Sequence, residues 1–279
     1  SMSAPRRDHT ATLLPDGTVL VAGGYGSGSY LSSAELYHPD TKKWENVASM
    51  SAPRRDHTAT LLPDGTVLVA GGYGSGSYLS SAELYHPDTK TWESVASMSA
   101  SREYHTATLL PDGTVLVAGG DNGSGYLSSA ELYHPDTKTW EIVASMSSGR
   151  YYHTATLLPD GTVLVAGGYG NGYLSSAELY HPDTKKWETV ASMSAPRRDH
   201  TATLLPDGTV LVAGGYNGSS SLSSAELYHP DTKTWEIVAS MSSGRYYHTA
   251  TLLPDGTVLV AGGYHSSSGR LSSAELYVP

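Results

Sequence analysis

An arginine returns six times at nearly constant spacing, as Arg6, Arg54, Arg102, Arg150, Arg197 and Arg245. Guanidinium groups bind carboxylate and phosphate through paired hydrogen bonds, so six of them near one mouth would attract an anionic ligand. Tyr25, Tyr73, Tyr169, Tyr216 and Tyr264 follow Gly-Gly pairs at matching positions, where the third such pair is followed by Asp121. Arg with Tyr is a usual vocabulary of binding hot spots. The competing expectation is structural. A glutamate, such as Glu35 or Glu83, recurs with the arginine every time, and an Arg–Glu pair would pin neighbouring segments together.

Histidine forms two further series. His9, His57, His105, His153, His200 and His248 recur as one set. Points on a six-fold ring lie a ring radius apart, too far to share one ion at Zn–N distances of ~2.1 Å. These are expected to be hydrogen-bonding residues, with no internal metal. His38, His86, His134, His181 and His229 are placed on exposed turns, and His265 in the longest loop. Neutral imidazoles there would be candidates for metal bridging between molecules above pH ~6.5.

The elements that must position these side chains follow from a repeat. Ser-Met-Ser begins at Ser1, Ser49, Ser97, Ser145, Ser192 and Ser240, giving repeats 1–48, 49–96, 97–144, 145–191, 192–239 and 240–279 of one domain, 1–279. Repeats 1 and 2 differ only at Lys43/Thr91 and Asn46/Ser94. Phe is absent while Tyr occurs 20 times. Such identity and one-sided vocabulary point to a consensus or engineered sequence.

Each repeat reads as four short strands separated by turn signals. In the first, strand a is His9–Leu14, b is Thr18–Ala22, c is Ser33–Tyr37 and d is Trp44–Ala48. Pro15-Asp16-Gly17 makes a tight a–b turn and His38-Pro39-Asp40-Thr41 turns c into d. Tyr25 to Tyr30 reads as a Gly/Ser/Tyr loop. No segment carries a sustained helical stripe. One such sheet cannot bury both faces alone, and radial packing of several can, which predicts an all-β, six-bladed propeller. The sixth repeat has no Trp and stops after strand c, so a three-stranded blade with Ser273–Tyr277 as an open edge is expected. Open edges pair with other chains.

The residues Arg6, His9, Gly17, Gly23-Gly24, Glu35, Tyr37 and Trp44, recurring in nearly every repeat, resemble kelch repeats. The resemblance covers the whole chain. The phrase from His9 to Gly24 is similar to bacterial and galactose-oxidase-type kelch repeats, and the near identity of the units resembles computationally designed symmetric kelch propellers. It implies a six-bladed kelch-type fold. It does not carry galactose-oxidase chemistry, which uses a Tyr–Cys crosslink, since this chain has no Cys. Some eukaryotic kelch domains bind acidic peptides with Arg and Tyr, and sialic-acid mutarotases are metal-free six-bladed kelch proteins. For a mutarotase, Glu103 is the one singular carboxylate among the d–a loops. Ser, His and Asp recur six-fold, which suits a scaffold better than a single triad. The Trp series reads as outer-strand packing.

Charge sorts by face. All ten Arg fall in the d–a and b–c loops, with only Asp8, Asp56, Glu103, Asp121 and Asp199 as acids there. The opposite turns hold eleven Asp and seven Lys. Opposite faces favour head-to-tail association. The d–a loop varies between repeats, and the b–c loop runs from five to seven residues, whereas Pro-Asp-Gly occurs six times unchanged. Variable loops on a rigid frame are how binding surfaces are built.

The net charge of −10 argues against nucleic acid. No apolar run approaches ~20 residues and no basic-plus-apolar leader opens the chain, so neither a membrane nor a secretory route is expected. Asn122-Gly-Ser and Asn217-Gly-Ser are sequons only for a secreted chain. The expectation is therefore an engineered, non-catalytic scaffold without cofactor. It would present loops for binding or assemble with itself through its faces or open edge. An anionic peptide or carbohydrate binder at the Arg/Tyr mouth is the alternative, and a metal-free sugar mutarotase the second.

Overall fold

The short apolar run Val-Leu-Val-Ala sets the architecture. A strand that packs on both faces needs no polar alternation, and Val67, Leu68, Val69 and Ala70 are all buried. The computed structural model describes residues 1–279 and contains strands and turns but no helix. In the first repeat strand a is Thr10–Leu13, b is Val19–Ala22, c is Ala34–His38 and d is Lys43–Val47. They form one antiparallel sheet in the order a-b-c-d. Five sheets are four-stranded; the sixth has the three strands Thr249–Leu252, Val258–Ala261 and Ala274–Tyr277. The fold class is the all-β six-bladed propeller.

The chain divides into two compact units, Ser1–Val143 and Ala144–Pro279, with three blade sheets and two two-stranded ribbons in each. Within unit 1 the core lies between adjacent sheets. Leu20, Ala22, Ala34 and Leu36 of one sheet meet Val67, Val69 and Tyr85 of the next. The period-2 geometry of a strand sends Leu20 and Ala22 to one neighbour and leaves Val21 for the other face. Unit 2 repeats this, with Leu164, Ala166 and Leu179 against Val210, Val212 and Tyr228. Trp92 fastens the outer edge: its indole N–H donates to the Ala48 carbonyl at 2.8 Å, and its ring packs 5.0 Å from Tyr85.

Two details differ from the sequence reading. The segment read as a loop from Tyr25 to Tyr30 is a two-stranded ribbon, Tyr25–Gly26 paired with Ser29–Tyr30. His38 does not sit on a turn; it ends strand c and pairs across to Lys43. Lys42, in the left-handed region at φ 55°, closes that turn.

Candidate functional site

The six recurring arginines belong to the frame. Each side chain is fully buried. Arg54 shows why. Its Nη1 donates to the carbonyls of Gly71 at 2.8 Å and Ser81 at 3.1 Å. Its Nη2 donates to Ser81 Oγ at 3.1 Å and Glu83 Oε1 at 2.9 Å. Glu83 Oε2 in turn accepts from the Ser51 amide at 2.8 Å. The Arg54 backbone reaches the preceding repeat, with its carbonyl accepting from Gly24 at 2.7 Å and its N–H donating to Leu31 at 3.1 Å. One residue thus ties its own strand c to the neighbouring blade. Arg6, Arg102, Arg150, Arg197 and Arg245 pair with Glu35, Glu131, Glu178, Glu226 and Glu275 at 2.7–2.9 Å. The expected arginine-lined mouth is corrected here: these guanidinium groups are spent on interior carbonyls and carboxylates, and none meets solvent.

The inner histidines also belong to the frame. His57 Nε2 lies 2.9 Å from Thr10 Oγ1 of the preceding blade, and His105, His200 and His248 meet Thr58, Thr154 and Thr201 at 2.9–3.0 Å. Burial lowers all four; His105 falls to about 3 and His248 to about 4. Nowhere do three His, Asp or Glu side chains come together to hold a metal ion. His38, His86, His134, His181 and His229 each lie 2.8–2.9 Å from a strand-d glutamate. Glu45 is shared, accepting from His38 at 2.8 Å and from Lys90 of the next blade at 2.6 Å. His265 Nδ1 accepts from the amides and hydroxyl of Ser267 and Ser268 within its own loop, at 3.1–3.3 Å.

Grooves of about 380, 390 and 500 Å³ run between neighbouring Pro-Asp-Gly and His-Pro-Asp turns. The Pro-Asp-Gly carboxylates are engaged within their own turns: Asp64 Oδ1 accepts from Thr66 N at 2.9 Å and Oγ1 at 2.7 Å. The variable chemistry lies at the other end of the sheets.

There the residue after each frame arginine matters. Arg7, Arg55 and Glu103 in unit 1 bridge, backbone to backbone, to Tyr25, Tyr73 and Asp121. The next residues, Asp8, Asp56 and Tyr104, adopt the left-handed conformation and link in series, Asp56 N to Asp8 O at 3.0 Å and Tyr104 N to Asp56 O at 3.3 Å. Arg55 lies over the rings of Tyr30 and Tyr73, at 5.8 and 5.5 Å, and its Nη1 is 3.5 Å from Asp56 Oδ2. Burial and repulsion from Asp8 push Asp56 up to about 6, against a hydrogen bond from Tyr104. Burial and the Asp56 charge push Glu103 to about 7.

Unit 2 is richer in aromatic rings. Tyr151, Tyr152, Tyr169, Tyr173, Tyr216, Tyr246, Tyr247 and Tyr264 form one connected cluster, with centroids 4.6–6.3 Å apart. Arg198 sits among them, 5.3 Å from the Tyr152 ring, 5.7 Å from Tyr216 and 5.8 Å from Tyr173. Its Nη1 is 3.3 Å from the buried Asp199 carboxylate. Burial pushes Asp199 to about 7, with Arg198 and Tyr247 opposing. A carboxyl raised in the folded state favours folding while protonated, and this contribution fades as pH rises through about 7. Asp199→Asn should therefore raise the melting temperature at pH 8.5 more than at pH 5, read from paired thermal melts.

The tyrosines chosen from sequence do lie at this end, but the frame arginines do not share it. The arginines that do are Arg7, Arg55, Arg198 and, paired across to Tyr264, Arg270, with Asp8, Asp56, Asp199, Tyr104, Tyr152 and Tyr247 at the same end. Variation between repeats was the available signal: the invariant arginine is frame, and the residues that change after it build the loop end.

The chain matches the KLHDC2/KLHL20/DRC7 Kelch-repeats domain over residues 98–263. It matches the Kelch motif over residues 6–51 and 54–99. No curated protein matches it. The solved structure of YjhT is similar over 99% of this chain and 95% of its own, with TM-score 0.73 at 18% identity, a likeness that shows the fold. The family matches, on repeats whose Arg–Glu pairs and Gly-Gly corners form the frame described above, place this chain in the kelch-repeat family.

Proposed function

We propose that this chain is a non-catalytic kelch scaffold whose near-identical repeats, engineered in origin, hold variable loops for binding. The observation that carries the reading is backbone strain at the loop tips. Tyr104, Tyr152 and Tyr247 adopt φ of 53–54°, where Asp8, Asp56 and Asp199 occupy the equivalent sites. A bulky side chain there costs about 1–3 kcal/mol, and such strain collects at functional positions. A residue serving only the fold would be Gly, Asn or Asp. Tyr247 is also more than half exposed.

Arg198 among its tyrosines supports the finer reading, a carbohydrate or an acidic peptide as ligand. The test is a binding screen with neutral and acidic oligosaccharides and an Asp/Glu-rich peptide, on this chain and on Tyr152→Gly/Tyr247→Gly. Binding that drops at least tenfold in the variant, without loss of stability, is expected. Equal binding by both proteins overturns the reading. Self-association through the oppositely charged faces is part of the scaffold proposal. Light scattering from pH 5.5 to 8, with chelator and then zinc, should show mass above 29.5 kDa. A steady monomer throughout contradicts it. No turnover is proposed: anomer exchange of sialic acid should run at the buffer rate with this chain and with Glu103→Gln.

A further inference from the structure

The loop end of unit 1 contains more acid than its own cations neutralise. Asp8, Asp56, Glu103 and Asp121 face only Arg7 and Arg55. Glu103 is 6% exposed, and its buried Oε2 has no hydrogen-bond partner. Asp56 Oδ2 is also buried without a hydrogen bond, and it is held by an ion pair to Arg55 Nη1 at 3.5 Å. A buried, unpaired carboxylate oxygen is costly, so such groups normally meet a donor. Glu103 Oε2 is such an oxygen, beside the Asp56 charge. The Glu103 backbone exchanges both hydrogen bonds with Asp121, each 2.9 Å, which holds the two acids side by side. Tyr78, influenced by both carboxylates, stacks edge-on with Tyr73 at 5.0 Å.

We propose that Glu103, Asp56 and Asp121, with the Tyr73–Tyr78 pair, form a receptor for a primary ammonium group of the lysine side-chain type. The missing partner must donate hydrogen bonds and carry positive charge. The carboxylates do not come close enough together to chelate a metal ion, whereas acceptors around an ammonium stand farther apart. An ammonium supplies three donors at a point, and tyrosine faces stabilise it by cation–π attraction. The carboxyls must be ionised to receive it. Their elevated values, about 6 and about 7, mean that binding strengthens as pH rises through that range. The charged and titratable neighbours that set this window are Asp8, Arg7, Arg55, Asp121, Tyr104, Tyr30 and Tyr78. The proposal rests on the loop-face reading but involves unit 1 alone, so its failure leaves the unit 2 tyrosine test standing.

The experiment is an NMR titration of the full chain with Nα-acetyl-lysine methylamide. The norleucine analogue is the neutral control, and n-butylamine the free amine. At pH 8 the lysine probe should bind about tenfold tighter than norleucine, the scale of one charged hydrogen-bond partner. Its affinity should fall severalfold at pH 5.5. Glu103→Gln should remove the preference, with Asp121→Asn read in its place where Glu103→Gln does not fold. Arg55→Gln, which removes a competing cation, should tighten binding. Butylamine binding as well as the lysine probe identifies the bare ammonium as sufficient; weaker butylamine binding identifies a peptide-borne lysine. Equal affinity for lysine and norleucine, or a lysine preference that survives Glu103→Gln or Asp121→Asn, overturns the proposal.

Discussion

Replacing Glu131 by Leu should lower the unfolding free energy by about 3–5 kcal/mol, the cost of leaving a buried charge without its partner. Arg102 is fully buried, and its Nη2 donates to Glu131 Oε1 at 2.7 Å. Without the carboxylate, the guanidinium keeps only neutral acceptors at Gly119 and Ser129. The Ser99 amide also loses its acceptor. Arg102→Met in the same chain should return part of the loss, because the charge goes too. It will not return all of it, since the Gly119 and Ser129 carbonyls then lack a donor, at about 1–3 kcal/mol for an unsatisfied buried group. Urea unfolding of the two single variants and the double gives the coupling. A loss below about 1 kcal/mol in Glu131→Leu, the scale of a surface pair, would show that the ion pair does not hold the blade.

Gly71→Ala should be comparably damaging, for a different reason. Gly71 has φ +67°, and a Cβ there would lie 2.5 Å from the Arg102 carbonyl oxygen and 2.7 Å from His105 Cε1. That carbonyl is fixed, since it accepts from Gly72 N at 2.8 Å. The left-handed penalty of about 1–2 kcal/mol is thus joined by a collision with backbone that cannot retreat. Gly65→Ala is the control. It has φ +86°, but its nearest neighbour is Pro15 Cγ at 3.7 Å. Only the conformational penalty should appear there. Similar losses at both positions would show that the collision is relieved cheaply.

The frame was legible because its residues are chosen by packing that recurs. Val67 to Ala70 must be apolar throughout, since both faces of the strand meet neighbouring sheets, and a run of that kind between Gly signals reads as a buried strand. The co-recurrence of Arg54 with Glu83 signalled a structural pair before any coordinates. The ribbon at Tyr25–Tyr30 was hidden because its strands are two residues long, too short for alternation to register. The surface site was harder still. Arg197 and Arg198 are identical in type and adjacent, and in an extended segment successive side chains point opposite ways. Composition does not show which of the two faces inward; the bridge from Arg198 to Tyr216 sets that register. The raised carboxyls at Asp56, Glu103 and Asp199 arise from burial among neighbours contributed by different repeats, which spacing along one repeat does not display.

An invariant arginine builds the frame, while the residue after it lies at the variable-loop end. Urea unfolding of Arg197→Met and Arg198→Met, measured side by side, tests it most directly. Arg197 is fully buried against Glu226 at 2.7 Å, and Arg198 is partly exposed beside Asp199. The account predicts a loss of about 3–5 kcal/mol for Arg197→Met and a clearly smaller loss for Arg198→Met, whose guanidinium is partly exposed. Equal losses, or a larger one at Arg198, would contradict it.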